Sequence, residues 1–185
     1  MVKVIKGTSV FLFLTLSLVK GAAGGIASSK HDLRSSSAFG STAQICKVCH
    51  VPHKSASTSF LIAPGRVYSG SVLTTYGGVV GAPTNSSAIC LSCHDGTTAP
   101  AVGTTTTDFT HSHPFSVVYP TTKTGYGAAV GGKITGSYGA LPLEGTSSNR
   151  MECGTCHNPH EKGVGSKFLR IENTNSNLCL TCHQK

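Results

Sequence analysis

The chain has 185 residues, a formal net charge of +8, 22 glycines, no tryptophan and a hydrophobic share of 38%. This length predicts one domain, and this composition argues against an apolar core built from side chains alone. The eight cysteines therefore matter most, because disulfides, a metal or a covalently attached cofactor would each supply what the core lacks.

The first predicted element is a secretory signal peptide, residues 1–27. Lys3 and Lys6 precede an apolar run over residues 10–19, which is too short to span a bilayer, and small residues follow it. An N-terminal core helix is the alternative. Export places the mature chain, residues 28–185, outside the cell or at its surface, with the periplasm as the alternative. This mature chain has no predicted transmembrane segment.

Every cysteine belongs to a Cys-x-x-Cys-His unit, and the chain contains four such units. This unit is the attachment signature of haem c: two thiols add to the two vinyl groups, and the adjacent histidine binds the iron. The pattern predicts four haem c groups. The predicted attachment residues are Cys46, Cys49, Cys90, Cys93, Cys153, Cys156, Cys179 and Cys182, and the predicted proximal ligands are His50, His94, His157 and His183.

Three other uses of the cysteines fit the sequence less well. Zinc binds paired cysteines in tetrahedral sites but needs no histidine after every pair. A disulfide framework suits an exported chain but also leaves the four histidines unexplained. A thiol oxidoreductase would need a βαβ pattern, which is not visible around these motifs.

The second axial ligands decide between electron transfer and catalysis. Five histidines lie outside the motifs, whereas only one methionine, Met151, lies in the expected mature chain, so that at most one haem can have His/Met ligation. Four bis-histidine haems leave no open iron position for a substrate. We therefore expect an electron carrier and not an enzyme.

Two of these histidines follow their own motif in the pattern Cys-x-x-Cys-His-x-Pro-His. His53 lies three residues after His50, and His160 three residues after His157. Neighbouring side chains of one short segment cannot clamp opposite faces of one porphyrin. Each is therefore expected to bind the iron of a different haem. A solvated surface histidine is the alternative for both.

The other three candidates are His31, His111 and His113. His31 lies near the expected mature N-terminus, where an unbound terminal histidine is the alternative. His111 and His113 are two residues apart and point to opposite sides of an extended chain, so one of them is expected to bind. We favour His113, because Pro114 fixes the backbone after it.

The motifs come in two rounds, about residues 46–94 and 153–183, which suggests a duplicated two-haem unit. The Thr- and Gly-rich region between the rounds, including residues 104–107 and 125–132, favours turns and loops. Short strands are expected at 71–76 and 115–119, and helical turns at the motifs. The expected fold is mostly coil with short helices and few short strands, around a core formed by stacked haems.

The basic charge is not a sign of nucleic-acid binding. Loss of three lysines with the signal leaves 12 basic and 7 acidic side chains, or +5. A ferric haem with two propionates carries about −1, so that four haems bring the total to about +1. No nucleic-acid-binding motif is present.

The stretches "SKHDL", "CKVCHVPH", "CLSCHDG", "HPFS", "CGTCHNPH" and "CLTCH" resemble the doubled-CxxCH multihaem cytochromes c. Their arrangement is similar to that of the extracellular tetrahaem cytochromes that polymerise as nanowires, the OmcE type. The resemblance implies bis-histidine ligation by His31, His53, His113 and His160 and a continuous haem chain. Some relatives coordinate one haem with a histidine of the next subunit, for which His31 is the candidate here.

These observations predict an exported tetrahaem electron-transfer protein. Its most favoured form is the subunit of an extracellular conductive filament, a head-to-tail homopolymer that exchanges electrons with donor and acceptor proteins or an extracellular acceptor. The first alternative is a soluble periplasmic shuttle to a partner oxidoreductase. The second is a multihaem reductase with one open haem site.

Overall fold

The computed structural model describes residues 25–56, 60–70, 72–103, 108–161 and 167–184. Nearly all of the predicted signal peptide and the threonine run at 104–107 lie outside these ranges. No helix among the described residues is both long enough and apolar enough to cross a bilayer.

The described chain is mostly irregular, with short helices and few strands. The helices are α1, Asn85–Leu91; α2, Cys153–Cys156; and α3, Asn177–Cys182. The strands are β1, Leu73–Thr75; β2, Val79–Gly81; β3, Val117–Val118; β4, Ala129–Val130; β5, Lys133–Gly136; β6, Gly139–Pro142; and β7, Arg150–Met151. Each α-helix contains at least one cysteine of a motif, as expected, and β1 and β3 lie within the predicted strand windows.

The largest sheet of the described residues is a three-stranded antiparallel meander of β4, β5 and β6. Gly131 and Gly132 connect β4 to β5 with φ of 58° and 75°, which is the left-handed pair that a tight hairpin requires. The composition of residues 125–132 predicted turns and loops, and for β4 that prediction was wrong. The two glycines form the turn, but the residues on either side of them pair as strands.

The main apolar cluster lies on this sheet. Ile134 and Leu141 face each other across β5 and β6 and are fully buried, and Tyr119 and Ile171 pack with them. A second cluster contains Leu73, Leu91, Phe109 and Phe115. Both clusters are small, and each packs against cysteine-bearing segments: Cys182 borders the first and Cys153 the second.

Two close backbone approaches place α3 on the sheet. A Cβ added at Gly136 would lie 2.8 Å from the Cα of Thr181, and one added at Gly127 would lie 2.8 Å from the Thr181 carbonyl oxygen. Only glycine leaves room for this contact. The fourth motif is therefore fixed directly on the sheet that carries the main apolar cluster.

Candidate functional site

The four Cys-x-x-Cys-His units share one backbone turn. In each unit the histidine N–H donates to the carbonyl of the first cysteine, four residues earlier. The donor–acceptor distances are 2.8 Å at His50, 2.9 Å at His94, 3.0 Å at His157 and 2.8 Å at His183. This single turn holds the two thiols and the imidazole of each unit within one short segment.

Backbone carbonyls orient the motif histidines His50, His94 and His157. The Nδ1 atom of His50 lies 2.6 Å from the carbonyl oxygen of Phe60, that of His94 lies 2.9 Å from Pro100, and that of His157 lies 2.8 Å from Lys167. A carbonyl only accepts, so Nδ1 is the donor and Nε2 keeps its lone pair. Nε2 is thereby the atom available to bind a metal.

The described residues within 46–63 and within 153–170 make matching backbone hydrogen bonds. In each segment the chain returns ten residues after the motif histidine and pairs with the motif. The matching bonds are Val51 N–H to the Leu61 carbonyl and Asn158 N–H to the Phe168 carbonyl, both 2.8 Å, and Ala63 N–H to the Cys49 carbonyl and Arg170 N–H to the Cys156 carbonyl, both 2.9 Å. The two Cys-x-x-Cys-His-x-Pro-His segments thus share one pattern of backbone pairing.

Three motif histidines lie opposite a histidine from elsewhere in the chain. The distances between ring centroids are 5.9 Å for His50 and His160, 6.1 Å for His94 and His31, and 6.1 Å for His183 and His113. Every pair joins one motif histidine to one predicted distal histidine. The partners are separated by 63 to 110 positions, and so the pairing is a product of the fold.

Among the described residues, no ring contact joins His53, His111 or His157 to another histidine. His53 and His111 are exposed, and the His157 ring has its Nδ1 bond to Lys167. Met151, the one methionine weighed as a ligand, is buried in the main apolar cluster and its backbone pairs with Val117.

His31 is half-buried and stacks on Phe168, with ring centroids 5.0 Å apart. Burial lowers the pKa of its imidazole, and the nearby rings of His94 and His157 lower it further. Its Nδ1 atom is buried without a hydrogen-bond partner among the described residues. A neutral ring is the form that binds a metal.

The cysteines of successive motifs are neighbours. Cys49 lies within electrostatic reach of Cys93, and Cys156 within reach of Cys182. The thiols of Cys90 and Cys153 are close enough to interact, which raises the pKa of Cys90 and lowers that of Cys153. The four attachment sites thus follow one another in space in the order of the sequence.

All eight cysteines are free thiols in the structure. Burial raises the pKa of Cys156 to about 12 and that of Cys182 to about 11. Within the described part of the chain, no three His, Cys, Asp or Glu side chains form a group that could hold a metal ion.

Sequence reasoning missed the carbonyl acceptors of the motif histidines. Their residue types carry no signal, because the acceptor is backbone. The equal ten-residue separation of Phe60 from His50 and of Lys167 from His157 is visible in the sequence only once the two segments are aligned. Sequence reasoning also missed a polar network around Glu152, because this network contains common residue types in no recognisable pattern.

One comparison with known proteins gave a match. Residues 147–185 match the family described as the doubled CXXCH motif. The match covers the last two motifs, about a fifth of the chain. The comparison with curated proteins gave no match.

Proposed function

We propose that this haem-binding electron-transfer protein, as its paired motif indicates, carries four haem c groups with histidine on both faces of each iron. The observation that carries the proposal is the spacing of the three histidine pairs. A metal–nitrogen bond is about 2 Å long, so that two axial imidazoles have centroids about 6 Å apart once the ring radii are added. The observed distances are 5.9, 6.1 and 6.1 Å.

The residues present fit this cofactor at three sites. His94 and His31 would hold the second haem, His183 and His113 the fourth, and His50 and His160 the first. When bound, the haem supplies reversible one-electron chemistry. The protein supplies thioether anchors, two nitrogen ligands and the carbonyls that orient the motif histidines.

The third haem, attached at Cys153 and Cys156, lacks an assigned distal ligand. His53 is the remaining candidate. It occupies the position in the first segment that His160 occupies in the second, and His160 lies opposite His50. The reciprocal pair would place His53 opposite His157. His31 already faces His94 in its own chain. If one ligand passes between neighbouring copies, as in the nanowire cytochromes that the sequence resembles, His53 and not His31 is the candidate.

The favoured form is therefore an exported subunit of a homopolymeric conductive filament. The resemblance of its motif arrangement and the successive order of the attachment sites support it. Electrons would pass from haem to haem within one subunit and on to the next. A soluble periplasmic shuttle would use the same haems without polymerisation.

One observation favours a reductase with an open haem as the second candidate. His157 makes no ring contact with another histidine among the described residues, although His31 lies within its electrostatic reach. If His53 does not bind, the third iron keeps a free face, which is the position a substrate would need.

One experiment separates the three possibilities. The secreted protein is fractionated by size, its haems are counted by mass spectrometry, and each fraction is examined by electron paramagnetic resonance. We expect four haems per chain, and we expect every haem in the filament fraction to be low-spin. A high-spin ferric haem confined to monomers means that a neighbouring copy supplies the ligand, and a high-spin haem in every fraction means an open site. Fewer than four covalently bound haems would overturn the proposal.

A further inference from the structure

We propose that a partly buried polar junction fixes the spacing between the second and third haems, with Glu152 as its positioning residue. The junction consists of Thr84, Ser86, Ser116, Glu144, Arg150 and Glu152. This inference rests on the proposed function, because it requires haems at the second and third motifs.

Glu152 is the centre of the junction. Its side chain is fully buried, and Arg150 lies 3.0 Å away in an ion pair. The hydroxyls of Thr84 and Ser116 donate to its two carboxylate oxygens at 2.6 and 2.7 Å. A buried carboxylate is costly unless it is paired and hydrogen-bonded, and these partners meet that requirement.

The junction joins the segments that carry the second and third motifs. Glu144 accepts from the backbone N–H and the hydroxyl of Ser86 at 3.0 and 2.7 Å, at the start of α1. The Ser86 oxygen in turn accepts from the N–H of Gly154 at 2.7 Å, inside α2. The neighbouring Ser87 hydroxyl accepts from the N–H of Cys153 at 2.9 Å. Two short helices far apart in sequence are thus held together by hydrogen bonds.

Gly154 allows this approach. A Cβ at this position would lie 2.8 Å from the Ser86 oxygen and would overlap a carboxylate oxygen of Glu144. Lys47 occupies the matching position of the first motif and is exposed. The close contact is therefore a property of the third motif and not of the motif as such.

The contact brings two attachment sulfurs together. Cys90 and Cys153 are within hydrogen-bond reach of each other. In the loaded protein each sulfur is bonded to a vinyl carbon at the edge of its porphyrin. The edges of the second and third haems therefore meet where the junction holds the helices, and the electron-transfer rate between them depends steeply on that separation.

The test uses the haem-loaded protein and four variants. Glu152→Gln removes the buried charge, and Gly154→Ala forces the helices apart while keeping every charge. Glu172→Gln changes an exposed carboxylate, and Lys47→Ala places the same methyl group at the matching position of the first motif. The readout is the excitonic couplet in the Soret circular dichroism, which depends on the distance and orientation between haems.

We expect Glu152→Gln and Gly154→Ala to lose the same component of the couplet while all four haems remain attached and low-spin. The two control variants should match the wild type. An unchanged couplet in the fully loaded Gly154→Ala protein would overturn the proposal. Loss of the haem at Cys153 would also overturn it, because the junction would then serve attachment. A wild-type chain with fewer than four haems refutes the proposed function, whereas the couplet still tests the junction wherever the second and third haems are present.

Discussion

Replacement of His160 by alanine tests the proposed ligand pair whose members lie farthest apart in the sequence. The His160 ring lies 5.9 Å from that of His50, whereas its own motif belongs to the third haem. The variant should therefore leave the iron attached at Cys46 and Cys49 with one ligand. About a quarter of the low-spin signal should be lost, since one haem in four changes and the other three keep both nitrogens.

The change is measured by electron paramagnetic resonance of the oxidised protein at equal haem content. The spectrum should show one high-spin and three low-spin centres. His160→Met provides a second measurement, because a thioether ligand raises the reduction potential of the haem that receives it. A redox titration should then show one haem shifted to higher potential and three unchanged.

Replacement of two attachment cysteines identifies which haem His160→Ala affects. Cys46→Ala together with Cys49→Ala removes the first haem and should leave three low-spin centres. Adding His160→Ala to that background should change nothing further, because the two changes act on one site. If His160 instead binds the third iron, the combined variant would have only two low-spin centres, and the cross-chain assignment would be wrong.

Three further predictions follow from the same structure. His53→Ala should perturb the haem attached at Cys153 and Cys156 and leave the first haem low-spin; if only the first haem changes its spin state, the assignment of His53 is wrong. His111→Ala should retain four low-spin haems, and loss of one would transfer the role of His113 to His111. Ile134→Ala should lower the free energy of unfolding by about 3 kcal/mol, because its side chain is fully buried. Val130→Ala, at a site 75% exposed, is its control and should stay within about 0.5 kcal/mol, as measured by denaturant unfolding.

The positions of the attachment residues follow from the sequence because porphyrin dimensions dictate the motif spacing. The pairing of the distal histidines with the motif histidines does not follow from the sequence. His50 and His160 are separated by a whole round of motifs, and their approach depends on the path of every connection between them. For His111 and His113, alternation in an extended chain predicted that one would bind, and the structure brings His113 to His183.

The meander of β4, β5 and β6 was not predicted from the sequence, and the reason is different. Residues 125–132 are rich in glycine, which is ordinarily a loop signal. Here Gly131 and Gly132 form a hairpin turn, and Gly127 and Gly136 make room for α3. Both uses depend on a partner segment that the local composition does not reveal. Ile134 and Leu141 could likewise not be recognised as core residues until β5 and β6 were paired.

The ring pair at His50 and His160 would give the proposed first haem a mechanical role. Its thioethers would anchor it near the beginning of the described chain, and its distal nitrogen would belong to the other repeat, so that the iron would close a covalent and coordinate ring of about 110 residues. A cross-link closing a loop of that length stabilises a fold by about 4–5 kcal/mol in the chain-entropy model. Any ligand that displaces His160 from the iron would thereby loosen both halves of the molecule at once.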